Sequence, residues 1–152
     1  MKGLAVAGIS AAAVVVAVAT DVLVPAGRNV QADLADPKLV TAGKSVYASQ
    51  CASCHGARLE GQPEWRTRRD DGRLPAPPHD ATGHTWHHPD DVLFDIIKNG
   101  VGAKLPTTYE TDMPVFRSVL TDDEIQAVLS YIKSMWPDDV RQRQAAISGR
   151  AR

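Results

Sequence analysis

A chain of 152 residues is long enough for one folded domain with extensions at its ends. Its formal charge of −1 supplies neither the basic field that nucleic acids attract nor a strongly acidic one, so we expect no nucleic acid partner. Aromatic residues make up only 5% of the sequence, and side chains alone would therefore build a thin apolar core.

Residues 1–32 have the pattern of an export segment. Lys2 precedes an uncharged apolar stretch at residues 3–20, Pro25 follows as a helix breaker, and Val30-Gln31-Ala32 is the better of two small-residue cleavage patterns. The apolar stretch is longer than the roughly 7–15 residues of a signal core and close to the roughly 18 that span a membrane. We therefore predict a signal peptide or an N-terminal membrane anchor, with the rest of the chain in the periplasm or otherwise outside the cytoplasmic membrane.

The first helix of a domain that we place at residues 33–137 is predicted to begin at Asp36-Pro37. Aspartate suits the N-cap and proline the first helical position. The helix should run to about Gln50, with one face formed by Leu39, Val40, Gly43, Val46 and Tyr47. Glycine in mid-helix costs about 1 kcal/mol relative to alanine, and close approach of a second helix would explain Gly43.

Both cysteines of the chain lie in Cys51-Ala52-Ser53-Cys54-His55. Cys-x-x-Cys-His is the pattern of covalent haem attachment, because two thiols at this spacing can each add to a haem vinyl group while the next imidazole lies under the iron. A thioredoxin-type pair would need a βαβ pattern, and a zinc site would need a fourth ligand at finger spacing. A disulfide across two residues would be strained. We therefore predict one covalent haem c bound through Cys51, Cys54 and His55.

The stretch from Gly56 to His88 has no clear periodicity, and a long irregular segment in a compact domain usually has a function or wraps a ligand. An indole N–H and guanidinium groups suit the haem propionates. The candidates for that contact are Trp65, Arg66, Arg68 and Arg69, although each arginine is also explained as a solvated loop charge. Trp65 and Trp86 are the stronger candidates for cofactor contact, because a tryptophan in a polar loop usually has a packing partner.

The same stretch is dense in histidine, with His79, His84, His87 and His88. The last three have a spacing that could bind copper or zinc, and one of them could offer a second axial ligand to the haem. Hydrogen-bonded loop histidines are the plainer interpretation, and all three interpretations stay open.

A second helix is predicted from Pro89, with a buried stripe at Leu93, Ile96 and Ile97, and Gly100 at its end. Thr121-Asp122-Asp123-Glu124 is a capping box that opens a last helix, which Pro137 ends. The buried residues of that helix are predicted to be Ile125, Val128, Leu129 and Ile132. Residues 138–152 are polar without a sustained apolar stripe and are predicted to be a flexible tail.

Met113, in a loop fixed by Pro114, is the predicted sixth ligand of the iron. A thioether is a soft, neutral ligand that favours ferrous iron and raises the reduction potential. Of the other two methionines, Met1 starts the export segment and Met135 is expected to fill the core from a helix. The alternative for Met113 is that it fills a gap under its loop.

These features together resemble the class I (mitochondrial-type) monohaem cytochromes c, in particular their exported bacterial members. The match covers about residues 37–137. It is carried by the glycine, tyrosine and haem motif of the first helix, the methionine-proline loop and the last helix: Gly43-x-x-x-Tyr47-x-x-x-Cys51-x-x-Cys54-His55-Gly56, Met113-Pro114 and residues 129–137.

The resemblance implies an all-α fold of three main helices and long loops around one covalent haem. It also implies that Gly43 meets Tyr131 of the last helix. A proline carbonyl, from Pro77 or Pro78, should accept a hydrogen bond from the second nitrogen of His55 and so fix the orientation of that ligand.

The function predicted from these residues is electron transfer by a monomeric domain, not an enzyme, with His55 and Met113 as axial ligands. Its donor and acceptor would be respiratory or periplasmic redox proteins that the sequence does not identify. One alternative is a haem enzyme or gas-binding protein with a displaceable sixth ligand. The other is a metal-binding role for the histidine-rich loop.

Overall fold

The computed structural model describes residues 36–103 and 109–151, so the predicted export segment lies outside the described residues. In the described part the chain forms α-helices and no strand, which confirms the all-α prediction. The helices are α1 (Pro37–Gln50), α2 (Ala52–His55), α3 (Asp90–Asn99), α4 (Asp122–Ser134) and α5 (Asp138–Arg150), with 3₁₀ turns at Thr85–His87 and Val101–Ala103. Within these ranges, no helix combines the length and the apolar character needed to cross a membrane.

Helix boundaries follow the capping residues of the sequence. The Asp36 side chain accepts a hydrogen bond from the Lys38 N–H at 2.9 Å, one residue after Pro37 opens α1. At α4 both halves of the predicted capping box form, because Thr121 accepts from the Glu124 N–H while the Glu124 carboxylate accepts from the Thr121 N–H. Each bond satisfies an N–H that has no partner within its own helix.

The most extensive helix–helix contact joins α1 to α4. At Gly43 a Cβ atom would lie 1.9 Å from the Ala127 carbonyl oxygen and 3.0 Å from the Tyr131 Cβ, so only glycine fits between the two backbones. One turn later, the rings of Tyr47 and Tyr131 pack with centroids 5.4 Å apart. The expected close approach at Gly43 is therefore confirmed, and it presses α1 against α4 directly ahead of the cysteine motif.

Within the described residues, two hydrophobic clusters fill the interior. The first is built from α1, α4, α5, the tryptophan between α4 and α5, and a buried loop leucine: Tyr47, Leu59, Val128, Tyr131, Ile132, Trp136 and Val140. The second joins α3 and α4 through Leu93, Phe116, Leu120, Ile125 and Leu129. Met135 belongs to neither cluster and is 52% exposed, so the prediction that it fills the core is wrong. Its position at the C-cap of α4 turns its side chain outside the buried stripe.

Residues 138–150 form helix α5 instead of the flexible tail that the sequence predicted. Val140, Gln144 and Ser148 recur every four residues and are all buried. The Gln144 amide donates to the Asp90 carboxylate at 2.7 Å and to the His88 carbonyl at 3.2 Å. The prediction was wrong because it relied on the lack of an apolar stripe in this segment, whereas α5 docks mainly through polar side chains with buried partners.

The segment between α2 and Thr85 has turns and bends but no helix, as the absence of periodicity predicted. Leu59 anchors it, since its side chain is fully buried and its carbonyl accepts from the His79 N–H at 2.8 Å. Gln62 and Ala76 pair through two further hydrogen bonds of 2.9 and 3.1 Å. The long loop is therefore folded back on itself beside the motif.

Candidate functional site

A cavity of about 280 Å³ lies between the motif, the long loop, α3, α4 and the loop that contains Met113. Both cysteines, His55 and Met113 line it. Its remaining walls are mainly apolar, with Leu93, Ile96, Ile97, Val128, Leu129 and Ile132 contributed by α3 and α4. The structure thus brings the predicted attachment residues and both predicted axial ligands to one apolar chamber.

The motif is shaped by a single helical turn, α2, that follows directly after α1. The Cys51 carbonyl accepts from the N–H groups of Cys54 and His55 at 3.1 and 2.9 Å. The Tyr47 hydroxyl donates to the Gly56 carbonyl at 2.9 Å and lies 3.3 Å from the His55 carbonyl, which fastens the end of α2 to α1. Burial raises the pKa of Tyr47, so its hydroxyl stays a donor throughout the physiological range.

His55 has the geometry of a metal ligand. Its Nδ1 lies 2.8 Å from the Pro77 carbonyl oxygen, which can only accept, so Nδ1 carries the proton and Nε2 keeps its lone pair. Desolvation lowers the pKa of His55, although the bond to Pro77 opposes the shift, and the ring is therefore neutral near pH 7. A neutral imidazole held through its second nitrogen is oriented to ligate iron.

The carbonyl beside His55 belongs to Pro77, and Pro78 has a different role. Pro78 does not line the cavity; its carbonyl lies 3.5 Å from the Thr85 hydroxyl and close enough to Gly83 that a Cβ there would lie 2.0 Å away. Gly61 packs against its other side, where a Cβ would lie 2.4 Å from the Pro78 nitrogen. We therefore assign Pro78 to the packing of the loop and not to cofactor contact.

The raised pKa of Cys51 differs from that of the attacking thiol in a typical redox dithiol. Burial, followed by the proximity of Cys54, raises the pKa of Cys51 to about 11. In thioredoxin-like pairs the attacking thiol has a lowered pKa instead. This difference adds to the missing βαβ pattern and leaves attachment of a cofactor as the chemistry that fits.

Of the predicted propionate contacts, Trp65 and Arg69 line the cavity, whereas Arg66 and Arg68 do not. Trp86, the other predicted cofactor contact, does not line it either. The Arg66 guanidinium lies over the Trp65 ring at 4.0 Å. The Trp86 indole donates to the Ala81 carbonyl at 3.3 Å, so its polar group is used within the loop. The sequence of the loop does not predict which of these side chains face the cavity, because their orientations depend on how the loop folds back.

The histidines of the loop are dispersed among different contacts. His79 stacks on the His55 ring with centroids 3.9 Å apart, and its Nδ1 lies 2.8 Å from the Thr85 hydroxyl. His84 stacks on Trp65 at 5.5 Å and meets the edge of His88. Burial first, and then neighbouring histidines, lower the pKa of both His79 and His84, so both rings are neutral near pH 7.

His87 stacks on Trp86 with ring centroids 3.7 Å apart. Among the residues that the structure describes, no three histidine, cysteine or acidic side chains are grouped as a metal site. The geometry therefore gives no support to a copper or zinc site at His84, His87 and His88.

Met113 lies in an extended loop and is partly buried against the second hydrophobic cluster. Its N–H donates to the Thr111 hydroxyl at 3.1 Å. The preceding residue, Asp112, accepts hydrogen bonds from Arg69 and Arg73, and these bonds hold the pKa of the Asp112 carboxyl below its usual range. Sequence reasoning missed Asp112, because nothing local indicates a partner some 40 residues upstream.

Comparison with known proteins gives consistent matches. A family model described as cytochrome c oxidase, cbb3-type, subunit III, matches residues 38–132. The chain is 29% identical over 113 residues to the cbb3-type cytochrome c oxidase subunit FixP of Sinorhizobium medicae, covering 71% of this chain and 35% of that protein. It is 33% identical over 104 residues to the subunit CcoP of Rhodobacter capsulatus, covering 66% and 31%.

The FixP subunit of Rhizobium meliloti is 28% identical over 115 residues, or 72% of this chain and 36% of that protein. The chain thus spans about a third of the length of the curated relatives that it matches. No solved structure gives a significant match.

Proposed function

The chain belongs to the family of cbb3-type cytochrome c oxidase subunit III, and from that membership we propose an electron carrier whose one haem c iron is ligated by His55 and Met113. Proteins of this family carry covalent c-type haem, and the two cysteines of this chain provide for one. One observation carries the proposal: the thiols, the neutral imidazole and the thioether all line one apolar cavity.

The residues around the cavity fit a haem c. The cysteines lie at its edge, where thioether bonds to the two vinyl groups would form. Flat apolar walls from α3 and α4 suit the macrocycle, while Trp65 and Arg69 offer an indole N–H and a guanidinium to the propionates. A bound haem would also add apolar volume to the core, which the side chains of a chain with only 5% aromatic residues would leave thin.

The bound haem would supply reversible one-electron chemistry, and the protein would set its potential. His55 is held neutral by burial and oriented by Pro77. Met113 offers a soft, neutral donor that favours the ferrous state, and the apolar walls exclude water, which raises the potential further. If His55 and Met113 both ligate the iron, they would leave no position for a substrate, and this would distinguish a carrier from an oxidase or a gas-binding protein.

We place the domain outside the cytoplasmic membrane, either free after cleavage of residues 1–32 or attached through them. The relatives are named as subunits of cbb3-type oxidases, so we propose that an oxidase of that class is one electron partner. Cys54 is exposed at the cavity edge, and a partner docked there would approach the haem closely. Small, transient interfaces are typical of such encounters.

Replacing the two described methionines separately tests the ligation. In Met113→Ala we expect loss of the sulfur-to-iron charge-transfer band, a lower reduction potential and ready binding of carbon monoxide by the ferrous protein. Met135→Ala is the matched control, because this methionine is 52% exposed and lies outside the cavity. An unchanged band and potential in Met113→Ala would exclude Met113 as the ligand. Ready carbon monoxide binding by the unmodified protein would favour the gas-binding alternative.

A further inference from the structure

The residue before Met113 is held by two arginines of the long loop. Arg73 Nη1 donates to Asp112 Oδ1 at 2.6 Å, and Arg69 Nη2 donates to Asp112 Oδ2. The two guanidinium groups therefore bind both oxygens of one carboxylate, an arrangement with more geometric constraint than a single ion pair. We call these three residues the Arg69–Asp112–Arg73 clamp.

The clamp completes a pair of anchors that flank Met113. Downstream, the loop is fixed to α3, since the N–H groups of Phe116 and Arg117 donate to the carbonyls of Ile97 and Lys98 at 3.2 and 2.9 Å. Directly upstream, the clamp ties the loop to a segment about 40 residues earlier in the chain. Between the anchors the Met113 N–H donates to the Thr111 hydroxyl, which is a local bond that does not tie the loop to another segment.

We propose that the Arg69–Asp112–Arg73 clamp is a positioning device that keeps the Met113 thioether at the iron and restrains its exchange for other ligands. This inference rests on the proposed function, since it presumes that Met113 is the sixth ligand. A loop anchored only at Phe116 and Arg117 can swing its upstream half away from the cavity. With the clamp closed, that motion breaks two charge-assisted hydrogen bonds.

Neighbouring charges reinforce the clamp. Arg69 Nε lies 3.7 Å from an Asp71 oxygen, and Arg73 Nε lies 3.6 Å from a Glu110 oxygen. Each arginine thus contacts a second carboxylate, and networks of this kind contribute more than isolated exposed pairs. The Arg69, Arg73 and Asp112 side chains are 42%, 40% and 47% exposed, so solvent screening keeps the effect moderate.

Imidazole binding to the ferric holoprotein measures how readily Met113 gives up the sixth position. We expect Asp112→Asn, which disrupts both arginine contacts, to raise the apparent affinity for imidazole about five-fold, the effect of losing an exposed but well-formed ion pair. Arg73→Gln removes one of the two contacts and should raise the affinity in the same direction by a smaller factor. Arg73 is preferred to Arg69 because it does not line the cavity and has no direct route to the haem. The double variant should bind imidazole no more tightly than Asp112→Asn, since that substitution already disrupts the contact with Arg73.

The two substitutions change the local charge in opposite directions, and this separates positioning from a field effect on the iron. A field effect would shift imidazole affinity oppositely in Arg73→Gln and Asp112→Asn, whereas loss of the clamp shifts it the same way. Arg143→Gln is the matched control: it removes an exposed ion pair with Asp139 on α5, at 3.5 Å, without touching the site. We expect it to leave imidazole affinity unchanged.

In the Met113→Ala background, the clamp substitutions should have no further effect on imidazole affinity. If Met113→Ala leaves the charge-transfer band intact, the proposed ligation fails and the clamp has nothing to position. Met113→Ala could remove the band while the clamp variants bind imidazole like the unmodified protein, or while Arg73→Gln and Asp112→Asn change the imidazole affinity in opposite directions. Either result would overturn the clamp inference alone. A five-fold rise that Arg143→Gln also shows would mean general loosening and would likewise overturn it.

Discussion

The contact between α1 and α4 predicts that Gly43→Ala destabilises the protein even though alanine is the better helix former. The added Cβ would lie 1.9 Å from the Ala127 carbonyl oxygen and 2.4 Å from its carbon, both of them backbone atoms that no rotamer change can move. A normal contact requires the helices to separate by more than 1 Å, and overpacking of this kind costs roughly 1–3 kcal/mol. The helix propensity of alanine returns about 1 kcal/mol, so we expect a net loss of up to about 2 kcal/mol, toward that upper limit because the clash is with backbone atoms.

Urea unfolding of the holoprotein, followed by far-UV circular dichroism, measures this difference as a shift in midpoint at constant slope. Gly149→Ala is the matched control, because Gly149 is also helical and a Cβ there meets nothing within 4 Å. That variant should be as stable as the parent, or more stable by up to about 1 kcal/mol. A Gly43→Ala protein at least as stable as the Gly149→Ala protein would refute the assigned approach of α1 to α4.

Three further perturbations test other contacts. Lys133→Met leaves the Asp90 carboxylate, which is only 3% exposed, without its cation. Urea unfolding should show that the free energy of unfolding falls by about 3–5 kcal/mol. Adding Asp90→Leu to this variant should restore most of that stability. Tyr47→Phe removes the hydroxyl that bonds Gly56 and should cost about 1 kcal/mol in the same assay; an unchanged midpoint would contradict that bond. The hydrogen bond from the Thr121 N–H is the main cause of the lowered pKa of Glu124. The Glu124 carboxylate therefore stabilises the fold above its unfolded-state pKa, and this contribution is lost as the pH falls through the lower folded-state pKa. The melting temperature of Glu124→Gln should thus lie below that of the parent at pH 7, and the difference should close below about pH 4.5. A difference that widens in acid would contradict this assignment.

Features set by neighbours in the sequence could be predicted. Asp36 and the Thr121–Glu124 pair mark helix starts through bonds that span two or three residues. The cysteine motif is one helical turn, so its spacing alone placed both thiols beside His55. Gly43 was predictable for another reason, because an unfavourable residue in a helix interior needs a compensating contact.

Features that depend on how distant segments meet could not be predicted. Arg66 and Trp86 have the chemistry of propionate ligands, but the loop turns them toward Trp65 and Ala81. Asp112 finds its arginines only after the long loop has folded back. The α5 helix was missed because its docking depends on the Asp90 carboxylate on another helix, which no periodicity within residues 138–150 reveals.

The docking of α5 also bears on how the wall of the cavity is held. The N-terminus of α3 is completed by Gln144 and Ser148, which bind the Asp90 carboxylate and N–H. Among the described residues, α3 lines the cavity with Leu93, Ile96 and Ile97, whereas α5 does not line it. A substitution at Gln144 would therefore act on the cavity through the position of α3.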